Sequence, residues 1–264
     1  MISFNGLRHA GGYARLVLYP LLILTVCFAV SCVTPSAARR KEAEKHKRIA
    51  AEYMNQDDYT TALINLLKAE KLNKEDPELH NYLGLTYQAK KRNDLAIVHF
   101  KKAVSLRPGY SEAKNNLGTV YLSERQWDLA IPYFKEAAED LTYQTPHFAL
   151  SNLGWVYYNK RDYPLAEHYY RKTLDIQSKF VVALRGLALT LMATGRYSEA
   201  VGYLERATVL APQIPHFYYD LGEAYSLSGQ YGKARRSYDK VLEMVPNSPL
   251  AAEAERQKIK IMGR

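Results

Sequence analysis

The sequence predicts an all-α solenoid built from stacked helix pairs, and a repeated pattern carries that prediction. A 34-residue pattern recurs six times, with one copy two residues longer. In every copy an aliphatic residue precedes a glycine or alanine, and a second alanine follows twelve positions after that small residue. The small residues are Ala50, Gly84, Gly118, Gly154, Ala188 and Gly222. Periods of this length indicate repeat units that pack only against their neighbours.

The apolar spacing inside one unit predicts two helices. Leu83, Gly84 and Tyr87 fall at i, i+1 and i+4, on one face of a first helix. Ala96 and Phe100 fall at i and i+4, on one face of a second helix. A polar segment separates the two runs and leaves no room for a strand. Because one pair cannot bury its own apolar face, we expect the pairs to stack.

This period and these residues resemble the tetratricopeptide repeat (TPR). The unit from 77 to 110 matches nearly the whole signature, although His80 stands where the signature opens with tryptophan. The resemblance covers residues 43–248 and implies a right-handed TPR superhelix of six repeats. We expect these repeats at 43–76, 77–110, 111–146, 147–180, 181–214 and 215–248, followed by a capping helix over 249–264.

The N-terminus is predicted to be a lipoprotein signal peptide. Residues 16–30 form an almost wholly apolar run, which is shorter than the ~20 residues of a spanning helix and fits a signal-peptide core. The following segment from Ala29 to Cys32 resembles a lipobox, although Ala29 replaces the usual leucine. That resemblance implies cleavage before Cys32 and lipidation of its thiol. Ordinary secretion and an uncleaved inner-membrane anchor remain open as alternatives.

These observations predict where the chain is located. We expect a signal peptide over 1–31, a tether over 32–42, and an outer-membrane lipoprotein that faces the periplasm of the bacterial envelope. Val33 is not the aspartate that retains lipoproteins in the inner membrane, and this implies outer-membrane sorting. The other cysteine, Cys27, lies in the segment to be removed, so the folded part is expected to have no disulfide.

Composition and motifs argue against an enzyme. The formal net charge is +9, but the basic residues are scattered, whereas nucleic-acid binding requires a continuous basic stripe with stacking aromatics. The sequence has no zinc-protease motif, phosphate-binding loop or nucleophile elbow. The histidines are expected to be surface or packing residues. We therefore expect no catalysis, metal, cofactor, nucleic acid or small-molecule substrate, and a scaffold that binds another protein.

The TPR resemblance also implies which residues face the inner groove of the stack. These positions are mostly polar in the first three units and mostly apolar in the fourth and fifth, with Tyr219 beyond them in the sixth. Large exposed apolar patches mark interaction sites, so we predict that a partner's apolar helix or strand docks there. The alternative that loop or C-terminal residues of this chain fill the groove remains open. The predicted partner-binding residues are Phe148, Trp155, Tyr158, Val182, Leu189, Met192 and Tyr219, and Ser151 and Arg185 fall at equivalent positions.

A narrower resemblance follows from the whole chain. The signal peptide, the six repeats, the total length and the extension from Glu136 to Tyr143 together resemble the pilotin-type TPR lipoproteins of type IV pilus biogenesis. This resemblance implies a protein on the inner leaflet of the outer membrane that binds secretin subunits and assists their assembly. The alternative is a general periplasmic TPR lipoprotein adaptor for envelope proteases, cell-wall enzymes or outer-membrane protein assembly.

Overall fold

The computed structural model describes residues 35–263, and over this range the chain forms helices and no strands. Six helix pairs are followed by a single helix, which confirms the all-α TPR fold. Residues 1–34, with the expected signal peptide and Cys32, lie outside the described residues. The helices are α1 Pro35–Asn55, α2 Tyr59–Leu72, α3 Pro77–Ala89, α4 Asn93–Leu106, α5 Ser111–Ser123, α6 Trp127–Glu139, α7 Pro146–Asn159, α8 Tyr163–Ile176, α9 Val181–Ala193, α10 Tyr197–Leu210, α11 Pro215–Leu227, α12 Tyr231–Met244 and α13 Pro249–Lys260.

The chain divides into two compact units, and each has a core of its own. The first unit ends at Lys74, and its described part is the α1–α2 pair, in which Ala50, Ala62 and Leu66 are fully buried. The second unit begins at Glu75 and contains α3 to α13. Within it, each helix packs against the next along the chain, and one apolar cluster runs from Ala96 to the last helix.

The expected tether is wrong from residue 35 onward. The first helix begins at Pro35, well before Glu42, where the apolar pattern had indicated its start. Proline at the first helical position leaves no unsatisfied N–H and fixes a helical φ. The residues from Ala37 to Lys41 are good helix formers, so the helix extends beyond its packed face.

In each repeat, a large side chain of the second helix fills the space beside the small residue of the first helix, and the sizes of these two residues are complementary. An added Cβ at Gly84 would lie 2.5 Å from Cε1 of Phe100, and one at Gly118 would lie 2.7 Å from the same atom of Phe134. Real Cβ atoms do not approach other atoms so closely, because van der Waals contact begins near 3.5 Å. The glycine is therefore required by the aromatic ring that packs on it.

The turn inside each pair contains a residue with left-handed backbone geometry. In two repeats this residue is glycine, Gly195 or Gly229, each with φ of +78°. In the other four it carries a side chain, and the residues are Asp57, Lys91, Arg125 and Arg161, with φ between 58° and 61°. Such a conformation costs an L-residue about 1–2 kcal/mol.

Relief of this strain gives a first prediction. We expect Arg125→Gly to raise the free energy of unfolding by about 0.5–1 kcal/mol, because the relief of strain exceeds the extra flexibility of glycine in the unfolded chain. The reverse change, Gly195→Arg, should lower it by a similar amount. Urea unfolding curves measure both, and a stability loss in Arg125→Gly would contradict the explanation.

The last helix covers the end of the second unit. Ala251 and Ala254 of α13 are buried, and the helix packs against α12 and α11. Its first turn is capped by the Ser248 hydroxyl, which accepts a hydrogen bond from the Ala251 N–H at 3.1 Å. None of the helices in the described range is both long and apolar enough to cross a bilayer.

Candidate partner-binding groove

The first helices of repeats four, five and six, which are α7, α9 and α11, line a groove of about 360 Å³. Three of the predicted residues, Trp155, Val182 and Leu189, meet in its lining. Trp155 is 38% exposed and Val182 57% exposed, so apolar surface faces solvent there. The full lining consists of Ser151, Asn152, Trp155, Tyr170, Val182, Arg185, Gly186, Leu189 and Phe217.

The other four predicted residues lie outside this lining. Tyr158 stacks on Trp155, with ring centroids 5.6 Å apart. Phe148 is 44% exposed but packs edge-on against Phe180 at a centroid distance of 5.4 Å. Tyr158, Met192 and Tyr219 are partly buried and pack on the core. Their apolar character is therefore explained in part by packing, which the sequence pattern alone had not indicated.

The described residues of the C-terminal helix do not fill the groove. α13 packs against α12 and α11, and no residue of it lines the cavity. The charges of Glu253 and Arg256 act on Tyr219, whose pKa is raised to about 12, mainly by burial. The groove in this part of the structure is thus bounded by the repeats themselves.

Four lining residues escaped the sequence analysis: Asn152, Tyr170, Gly186 and Phe217. Tyr170 occupies the second-helix position that Phe100 and Phe134 fill in their repeats, and it is only 1% exposed. An added Cβ at Gly186 would lie 2.2 Å from Cζ of Tyr170, so this glycine allows the ring to reach the next repeat. The available signal was a glycine in the first helix of repeat five, one residue after the groove-facing Arg185 and two before the small residue Ala188.

Arg185, the charged residue among those that line the groove, forms an ion pair with Asp220. Nε of Arg185 donates to Oδ2 of Asp220 at 2.5 Å. The Asp220 side chain is only 6% exposed, and burial raises its pKa while Arg185 opposes that shift. Burial also raises the pKa of Tyr170 and of Tyr158, so both phenols keep their protons at neutral pH.

The same inner face is polar and internally bonded in the preceding repeats. Nδ2 of Asn116 donates to Oδ1 of Asn81 at 3.0 Å, and Nδ2 of Asn152 donates to Oδ1 of Asn115 at 3.2 Å. Asn81 also donates to Glu112 at 3.2 Å and is only 2% exposed. These amides connect neighbouring repeats and are already satisfied, so the open apolar surface begins at repeat four.

The helix pairs, which stack one after another along the chain, define a helical repeat protein. Models of the tetratricopeptide repeat match residues 77–110, 109–179 and 185–249, which together make up more than half of the chain. The chain belongs to the tetratricopeptide repeat family. No curated protein sequence matches it.

Solved structures of similar fold include a protein connected with type IV pili. PilW, described as a widely conserved type IV pilus biogenesis factor, is 25% identical, with a TM-score of 0.76 over 81% of this chain and 98% of PilW. PilF of Pseudomonas aeruginosa is 18% identical, with a TM-score of 0.75 over 84% of this chain and all of PilF. YrrB, a TPR protein described as having an unusual peptide-binding site, is 22% identical, with a TM-score of 0.57 over 72% of this chain and 97% of YrrB. The likeness to PilF and YrrB shows the fold alone.

Proposed function

We propose that this chain is a lipid-anchored TPR scaffold of the bacterial outer membrane that binds another protein, and that this partner is a secretin subunit assembled during type IV pilus biogenesis. The open groove carries the protein-binding part of the proposal, because it exposes Trp155 and Val182 on facing helices. Such exposed apolar surface is typical of interaction sites. The likeness to PilW over most of both chains supports the assignment to pilus biogenesis.

The beginning of α1 bears on the anchoring part of this proposal. Cys32, the expected lipid carrier, lies three residues before Pro35, where the helix begins. Lipidation would therefore hold the first helix close to the bilayer surface. Arg39, Arg40 and Lys41 are exposed there, and basic side chains near an anionic lipid surface each add about 1 kcal/mol of attraction.

The anchoring part predicts the outcome of a single substitution. In a bacterial strain whose own copy is deleted, Cys32→Ser should remove the chain from the outer-membrane fraction, because the acyl chains that stable anchoring requires are lost. Mass spectrometry of the wild-type N-terminus should show an acylated Cys32. An unmodified residue 32 in a membrane-bound wild-type chain would contradict the lipoprotein assignment.

The partner is tested in the same strain. Secretin multimers in the outer membrane should be restored by the wild-type chain and reduced at least tenfold with Trp155→Ala, because central aromatic residues dominate interface energies. Val98→Ala is the matched control, since Val98 is 60% exposed on α4, away from the groove. Normal multimers with Trp155→Ala, together with co-purification of an envelope protease or cell-wall enzyme, would favour the general adaptor instead.

A further inference from the structure

Side chains at two fixed positions connect neighbouring first helices along the inner face. They are the fifth residue of one repeat and the sixth residue of the next. Asn81 pairs with Asn116, and Asn115 pairs with Asn152. Farther along the chain, Arg185 pairs with Asp220 in the same way. Each pair crosses the space between two helices and closes it.

Among repeats two to six, the connection is missing between repeats four and five. The residues at the two positions there are Ser151 and Gly186, and no side-chain hydrogen bond joins them across the described helices. Serine is short and glycine has no side chain, so nothing crosses the space. Both residues line the 360 Å³ groove. The groove is therefore the space that stays open because no polar pair connects the two helices at this step.

Tyr170 forms the floor of the gap and presents its hydroxyl to it. The residue is 1% exposed, and its hydroxyl has no hydrogen-bond partner among residues 36–263. In that range every fully buried side-chain oxygen has a hydrogen-bond partner, so the unbonded hydroxyl oxygen of Tyr170 is not fully buried. The hydroxyl oxygen therefore reaches the groove. Packing does not require it, because Phe100 and Phe134 fill the same repeat position with bare rings.

The polar groups of the lining are mostly hydrogen-bond donors. Arg185 has five N–H donors, and Asp220 takes the one on Nε, while the others have no partner in the described part of the chain. The hydroxyls of Ser151 and Tyr170 add two more, and no carboxylate lines the groove. An occupant that supplies hydrogen-bond acceptors therefore fits this lining.

An extended peptide supplies those acceptors and a helix does not. The carbonyl groups of a helix are bonded within it, whereas those of an extended segment are available to a receptor. The apolar walls, Trp155, Val182, Leu189 and Phe217, fit a bulky side chain. A cavity of about 150 Å³ admits a benzene ring, so 360 Å³ accommodates such a side chain and its flanking backbone.

We propose that the gap between repeats four and five binds an extended segment of the partner protein. One bulky apolar side chain of that segment inserts between Trp155, Val182 and Leu189. The hydroxyl of Tyr170 and the guanidinium of Arg185 bind backbone carbonyls, or a carboxylate, beside that side chain. This inference rests on the proposed protein-binding function and names the conformation and chemistry of the segment that the groove takes.

The test selects peptides from a displayed library of random linear dodecapeptides on the purified full-length chain in detergent. The strongest binders are then synthesised, and their Kd values are measured by fluorescence anisotropy. We expect binders that share one bulky apolar residue. Val182→Phe should weaken them at least tenfold by filling the groove, and Tyr170→Phe should weaken them about three- to tenfold by removing one hydrogen bond.

Two matched variants control for nonspecific effects. Val98→Phe places the same ring at a similarly exposed site, and Tyr238→Phe removes the hydroxyl from the same position of repeat six, where the ring is also 1% exposed. Both should leave the Kd within about twofold. Circular dichroism and thermal melting of every variant establish that it is folded, and Tyr170→Phe alone tests the inference if Val182→Phe unfolds.

Three results would overturn the inference. The first is that no peptide is selected, and the second is that the Val182→Phe variant and the wild type bind the selected peptides equally. The third is that the wild type binds a fluorescent fatty acid and the Val182→Phe variant binds the peptides but no longer the fatty acid. The proposed function is tested separately, by secretin multimers in the deletion strain. If Tyr170→Phe and Val182→Phe still restore secretin multimers in the deletion strain, the scaffold function stands and this groove is not its peptide site.

Discussion

Gly84→Ala is expected to lower the free energy of unfolding by about 2 kcal/mol. The added methyl would lie 2.5 Å from the ring of Phe100, which is fully buried. Overpacking a core of this kind typically costs about 1–3 kcal/mol, and this exceeds the 0.5–1 kcal/mol that alanine gains over glycine in a helix. Urea denaturation of the purified chain measures the difference.

A double variant tests the cause of this loss. Repeats one and five have alanine at the small position, Ala50 and Ala188, and leucine at the filling position, Leu66 and Leu204. Gly84→Ala combined with Phe100→Leu copies that combination. We therefore expect a favourable coupling of about 1–2 kcal/mol between the two changes.

An exposed glycine provides the control for the double variant. Gly202 lies within α10, and a Cβ there would contact nothing within 4 Å. Gly202→Ala should therefore be stabilising, by the helix preference alone. Purely additive losses in the Gly84→Ala and Phe100→Leu double variant would show that the ring contact is not what requires glycine.

Arg185→Met is expected to cost about 2 kcal/mol of folding stability at pH 8. The change leaves the Asp220 carboxylate buried without its partner. Removal of one member of a fully buried pair costs about 3–5 kcal/mol. The loss here is smaller because the Arg185 side chain is 34% exposed, so water screens the interaction.

The loss should shrink as the pH falls. Burial already holds the pKa of Asp220 above its ordinary value, and loss of Arg185 removes the main opposing charge, so that pKa rises further. A group with a raised pKa in the folded state binds more protons there, and stability then rises as the pH decreases. His216 and Glu223 lie within electrostatic range of Asp220, so the curves of the two proteins are compared directly.

Asp220→Asn in the Arg185→Met background controls for other titrating groups. Removal of the carboxylate should recover most of the lost stability and flatten the difference between pH 8 and about 4.5, since an amide does not titrate. A loss that is equal at both pH values, or that persists in the double variant, would contradict the assignment to the unpaired Asp220.

The fold could be predicted because the repeat pattern lies in local spacing. Tyr87 lies about one helical turn after the adjacent Leu83 and Gly84, so the positions of these residues along the sequence fix their shared face. The beginning of α1 was less predictable, since residues 36–41 are exposed and leave no apolar pattern. Helix propensity alone extends the helix to Pro35.

The groove could be predicted only in part, because its shape depends on contacts between repeats. Trp155, Val182 and Leu189 were indicated by their position in the unit. Tyr170 belongs to a second helix and would normally be pure core. Its access to the groove depends on Gly186 in the next repeat, a relation that no single repeat contains.

Site-specific photocrosslinking tests the central claim, that repeats four to six bind a segment of a protein partner, most directly. A benzophenone amino acid is placed at residue 182 or, as the control, at residue 98, in intact cells that produce the full-length chain. We predict one discrete protein adduct from residue 182, mapped by mass spectrometry to a single short segment, and none from residue 98. The same adducts from both positions, or no protein adduct from residue 182, would contradict the claim.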